Sequence, residues 1–68
     1  MTKFEKQIYD YIKANNGKVT ANDITTALNV KAYSKNTSDK EVVITTIQRM
    51  IKQGIPVEYN KLGYRVKQ

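Results

Sequence analysis

SDKEVVITTIQRMIKQGIPVEYNKLGYRVKQ, residues 38–68, decides the fold. Its first four residues, Ser38-Asp39-Lys40-Glu41, form an S-x-x-E capping box. In such a box the Ser hydroxyl can accept a free N–H of the first helical turn and the Glu carboxylate can reach back to the cap. Val43, Ile47, Met50, Ile51 and Gly54 follow at helical spacing, so a helix is expected over residues 39–53. Ile55-Pro56-Val57-Glu58-Tyr59 and Tyr64-Arg65-Val66-Lys67 then flank Asn60-Lys61-Leu62-Gly63, a run of turn residues. Residues 55–67 therefore read as a β-hairpin.

The helix has two faces. Val43, Ile47, Met50 and Ile51 point one way on a helical wheel. Glu41, Thr45, Gln48, Arg49 and Lys52 point the other way, with Val42 at the edge. That outer face carries hydrogen-bonding and cationic groups without a large apolar patch, as a solvated helix face also does. In the hairpin, Ile55, Val57 and Tyr59 share one side, while Pro56 and Glu58 share the other. Pro56 has no N–H for a ladder bond, so it belongs at an edge or toward solvent. Tyr64 and Val66 alternate with Arg65 and Lys67, and Tyr59 and Tyr64 are placed to pair across the strands. Lys61 stands at the tip. A basic strand and tip suit contact with phosphates or a narrow minor groove; edge-strand Lys and Arg also block aggregation.

Upstream, Thr2 caps a first helix that runs to about Asn15. Phe4, Ile8, Tyr11 and Ile12 form its apolar stripe, with Tyr9 on the flank. Asn15-Asn16-Gly17 is a stop signal. Lys18-Val19 has the composition of a short strand. Thr20 caps a second, short helix that ends near Asn29, with Asp23 at its positive end and Ile24, Ala27 and Leu28 facing inward. Residues 31–37 carry no periodic pattern and read as a loop. The expected architecture is α+β: three helices and a C-terminal hairpin, in one domain spanning residues 1–68.

Composition removes several function classes. There is no cysteine and no histidine, so disulfides, Cys-based metal sites and Ser-His, Cys-His or His-zinc catalysis are excluded. The six carboxylates are scattered, and three glycines, each at a turn, make no phosphate-binding loop. An enzyme, a cofactor and a metal are therefore not expected. No apolar run reaches membrane-spanning length and no signal-peptide core is present, so the expectation is a cytoplasmic protein. The net charge is +6, from 12 bases and 6 acids, and it is uneven. Residues 1–30 hold four bases against three acids, and residues 31–68 hold eight against three. A polyanionic partner is the simplest functional reading, since neutralising phosphates releases counterions. The alternative is a solvated basic surface that aids solubility.

Gly54-Ile55-Pro56-Val57-Glu58 followed by Leu62-Gly63-Tyr64-Arg65-Val66 resembles the end of the winged helix-turn-helix found at the N-terminus of the biotin repressor and in many bacterial transcription factors. Met50 takes the position of a leucine in that pattern, and Val43 and Ile47 match the apolar positions before it. Val19-Thr20 with Ile24, Leu28 and Val30 is similar to the preceding helix of the family. The resemblance covers about Phe4 to Lys67, most specifically in its last twelve residues. One difference is the connection between helices two and three, a tight turn in the family and here residues 31–37. It adds Lys31, Tyr33 and Lys35 beside the end of helix three that approaches DNA in the family.

The resemblance implies a small winged helix-turn-helix that binds double-stranded DNA, with helix 39–53 in the major groove and hairpin 55–67 as the wing. Arg49 is then the best candidate for a guanine edge, and Thr45 and Gln48 suit bases or phosphates. Lys40, Lys52, Lys61, Arg65 and Lys67 would contact phosphates. With no effector domain after the wing, the expectation is a stand-alone transcriptional regulator, of the kind found in a phage or mobile element. Two alternatives stay open: an excisionase-like architectural factor, and a winged-helix module that binds protein, for which Glu41 on the outer face is the motive. A homodimer is also compatible with the pattern.

Overall fold

Thr2 starts the first helix of the computed structural model, which describes residues 1–67. Its hydroxyl accepts from the Glu5 N–H (3.1 Å), and the Glu5 carboxylate accepts from the Thr2 N–H (2.7 Å). This reciprocal box satisfies two of the free donors at the helix start. It also explains a buried carboxylate, since Glu5 is only 4% exposed. Helix α1 runs Lys3–Ala14 and turns Ile8 and Ile12 fully inward. Phe4, Tyr9 and Tyr11 pack half-buried around them. Asn15 ends the helix, and Gly17 takes a positive φ of 92° in the turn that follows.

The second helix, α2 (Ala21–Ala27), repeats the device: Thr20 and Asp23 form a second capping box, with both bonds at 3.1 Å. Its buried positions are Ala21 and Ile24. Ala27, expected to face inward, is exposed, and Leu28 is half-buried as the C-cap. Ala27, the last residue of α2, lies on the other side of Ile24 from Ala21 and so off the buried face of the helix. Asn29 reverses the chain at φ 52°, and Val30 drops back into the core instead.

Helix α3 (Asp39–Lys52) buries Val43, Ile47 and Met50. Ser38 caps it, accepting from the Glu41 N–H at 3.2 Å. The expected return bond from Glu41 does not form, because Glu41 stays in solvent. Asp39 has a different role. Its carboxylate accepts from the Ala32 N–H at 2.7 Å and ties the loop back to the start of α3. Ile51 also departs from expectation: it is 44% exposed. The core line of α3 is three residues wide, and Ile51 lies off it on the same flank as Ile44.

The chain then forms strands β1 (Val57–Asn60) and β2 (Gly63–Val66), antiparallel, with Tyr59 opposite Tyr64 and Asn60 opposite Gly63. Both tyrosine rings meet edge-to-face with centroids 4.9 Å apart. Tyr64 is buried, whereas Tyr59 is 67% exposed although it lies on the inward-facing side of its strand. The hairpin is rooted in the body. Val19 bridges Tyr64, whose N–H donates to the Val19 carbonyl, and the Asn16 side chain accepts from the Val66 N–H at 2.8 Å. Val19 makes only this isolated bridge beside β2, so the short strand expected at Lys18-Val19 is reduced to one residue. The arrangement is α+β, three helices followed by a two-stranded hairpin, consistent with a winged helix. Among the described residues, no helix is long and apolar enough to cross a membrane.

Candidate nucleic-acid interface

Every expected contact residue is exposed: Lys31, Tyr33, Lys35, Lys40, Thr45, Gln48, Arg49, Lys52, Lys61, Arg65 and Lys67. They do not form one patch. Helix α3 separates them into sides, because its buried line fixes which residues fall to the left and right of its outer crest. Thr45 and Lys52 share that crest with Glu41. Gln48 leans to one flank and Arg49 to the other.

The first flank faces the hairpin. Lys40, Ile44, Gln48 and Ile51 border a groove of about 470 Å³ that is completed by Thr20, Asn22, Tyr59 and Tyr64. Ile44 and Ile51 lie beside the buried Val43–Ile47–Met50 line and form the α3 wall of the groove, opposite Tyr59 and Tyr64 of the hairpin. No carboxylate lines it, and Lys40 is its one charged group. Burial, and secondarily the neighbouring Tyr59, push the Tyr64 phenol above its ordinary value. Tyr64 is therefore a neutral hydroxyl at the base of the groove at neutral pH.

The opposite flank faces the loop. Lys31 and Tyr33 border a second groove, of about 440 Å³, with Phe4, Leu28, Val42 and Thr46. Tyr33 is fully exposed, so it does not fill a gap in the core. The loop is ordered by its own bonds: the Ser34 hydroxyl accepts from the Asn36 N–H, and the Ser34 carbonyl accepts from the Thr37 N–H. Together with the Asp39–Ala32 bond, these hold Lys31 and Tyr33 beside the N-terminal half of α3.

Two features qualify the cationic surface. Arg65 is paired across the strands with Glu58, so a phosphate would compete with that carboxylate for the guanidinium. Arg49 and Lys52 occupy the last turn of α3, and Asp39 and Glu41 the first. That distribution also complements the helix dipole, worth about 0.3–1 kcal/mol per charge.

Reasoning from sequence missed Ile44, Asn22 and Tyr59 as surface-forming residues. A signal was present: Lys40, Ile44, Gln48 and Ile51 repeat at steps of four, four and three, which is one helix flank. It also passed over Leu62, an exposed apolar side chain at the hairpin tip. Comparison with family models, curated proteins and solved structures returned no match for the chain.

Proposed function

We propose that the protein binds double-stranded DNA, with α3 in the major groove and the hairpin as a wing, and acts on transcription or on DNA architecture. The observation that carries this reading is the setting of α3. Its exposed crest and flanks present Thr45, Gln48, Arg49 and Lys52 between a rooted hairpin with Lys61 at its tip and an ordered loop bearing Lys31 and Lys35. A helix of this width fits the major groove, and side chains on both of its flanks can then reach bases or phosphates. Arg49 is the candidate for a guanine edge, and Gln48 and Thr45 for neighbouring positions. Lys31, Lys35, Lys40, Lys52, Lys61 and Lys67 supply phosphate contacts. Arg65 contributes less while Glu58 holds it.

A second reading is favoured by one specific observation. Ile44, Ile51 and Tyr59 expose apolar surface along the first groove, which suits a protein partner. Salt dependence separates the two readings. Binding of a labelled 20-base-pair duplex should follow log Kd against log salt with a slope of magnitude about 5, from the six lysine–phosphate contacts at roughly 0.9 each. Absence of binding at ~50 mM salt would favour the protein-partner reading.

A further inference from the structure

We propose that Leu62 is a wedge: the hairpin tip enters the minor groove, Leu62 unstacks one base step, and the duplex bends. This inference rests on the DNA-binding reading above. It begins with a side chain that the fold does not use. Leu62 is 66% exposed, and it belongs neither to the buried core nor to the half-buried residues packed against it. The turn does not need it either. Turn positions favour Gly, Asn, Asp, Ser or Pro for backbone reasons that a leucine side chain does not serve.

The turn that carries Leu62 is closed by hydrogen bonds to the Asn60 side chain and at its base. The Asn60 carboxamide oxygen accepts from the Leu62 N–H (2.8 Å) and from the Gly63 N–H (3.1 Å). Neither Lys61 nor Leu62 has a positive φ, so the chain reversal is completed at Gly63, at φ 135°. Gly63 in turn lies against the Val19 backbone, and the Lys67 N–H closes the base of the hairpin onto the Pro56 carbonyl (2.8 Å). A tip closed in this way loses less freedom on insertion than an open one, which favours an inserted side chain. Lys61, adjacent and exposed, supplies attraction to the flanking phosphates.

An apolar side chain beside a cation on a narrow protrusion matches the chemistry of minor-groove wedges. Such wedges part a base step and kink the duplex by roughly 20–90° toward the major groove. Unstacking is easiest at pyrimidine–purine steps, so a TA or CA/TG step is expected under the wing. Insertion also withdraws from water a Leu62 side chain that the folded chain leaves largely exposed.

The test compares the wild type with Leu62→Ala on a duplex that the wild type binds, reading the bend by energy transfer between end labels. A second duplex carries a single mismatch at the wing position, so that unstacking is already partly made. The wild type is expected to bend the matched duplex and to prefer the mismatched one. Leu62→Ala is expected to keep its melting temperature and salt slope, to lose most of the bend, and to bind the matched duplex roughly tenfold more weakly. Its deficit should shrink on the mismatched duplex. Equal bending by both proteins, or an equal deficit on both duplexes, would overturn the wedge and leave DNA binding standing. If the wild type binds no duplex, the DNA-binding reading falls and the wedge with it.

Discussion

Gly63→Ala tests how the hairpin is rooted. At φ 135° only glycine is comfortable, and strain there costs an L-residue about 1–3 kcal/mol. Space is the second problem. A Cβ at this position would lie 2.3 Å from the Val19 carbonyl oxygen, 2.7 Å from its carbon and 2.9 Å from the Val19 nitrogen. These are backbone atoms and cannot rotate away, so the strand must move; overpacking of this kind costs about 1–3 kcal/mol. The movement would stretch the neighbouring bond from the Tyr64 N–H to Val19, at 2.6 Å, worth about 0.5–1.5 kcal/mol net. Together the loss is roughly 3–7 kcal/mol, against a total stability of about 3–10 kcal/mol for a chain of this size. The melting temperature, followed by helical circular dichroism, should fall by more than ~12 °C or the transition should vanish. Gly54→Ala is the control. Gly54 also has a positive φ, 87°, but nothing lies within 4 Å of its Cβ position, so only conformational strain of about 1–2 kcal/mol is expected. If Gly63→Ala melts like the wild type, or no lower than Gly54→Ala, the close packing of the hairpin on Val19 is wrong.

Three further predictions concern the core, the groove and the helix crest. Ile47→Ala, at a fully buried position, should cost about 2–5 kcal/mol in urea unfolding; an unchanged midpoint would refute the inward line of α3. Because Tyr64 keeps its proton to higher pH when folded than when unfolded, stability should hold below pH ~10 and fall as pH rises through the folded value. Tyr64→Phe should flatten that alkaline decline, and an identical decline in the variant would assign it to other groups. Arg49→Ala should weaken binding to a specific duplex by about 1–3 kcal/mol and relax one base position, whereas equal loss on random duplex would reduce Arg49 to a phosphate contact.

Much of this fold is legible because its punctuation is local. Thr2, Thr20 and Ser38 each cap a helix using atoms within three residues, so sequence alone places all three starts. The hairpin is equally local, since Asn60 and Gly63 set the turn and so the Tyr59–Tyr64 pairing. What the chain does not announce depends on distant partners. Whether Ile51 or Ile44 is covered depends on how its neighbours pack around α3, and helical spacing gives direction without depth. Glu41 fits the pattern of a capping box, but the carboxylate that found a partner is Asp39, recruited by Ala32 across the loop. The candidate site was legible as a set of exposed cations. Its division by α3 into a hairpin side and a loop side became visible only with the buried line fixed. The pairing of Arg65 with Glu58 likewise required the strand register.

That α3 reads duplex DNA is best tested by selecting bound sequences from a random duplex library. A defined site should be enriched, with a base position that depends on Arg49. Retention of no duplex, or of duplexes with no common sequence after repeated selection, would contradict it.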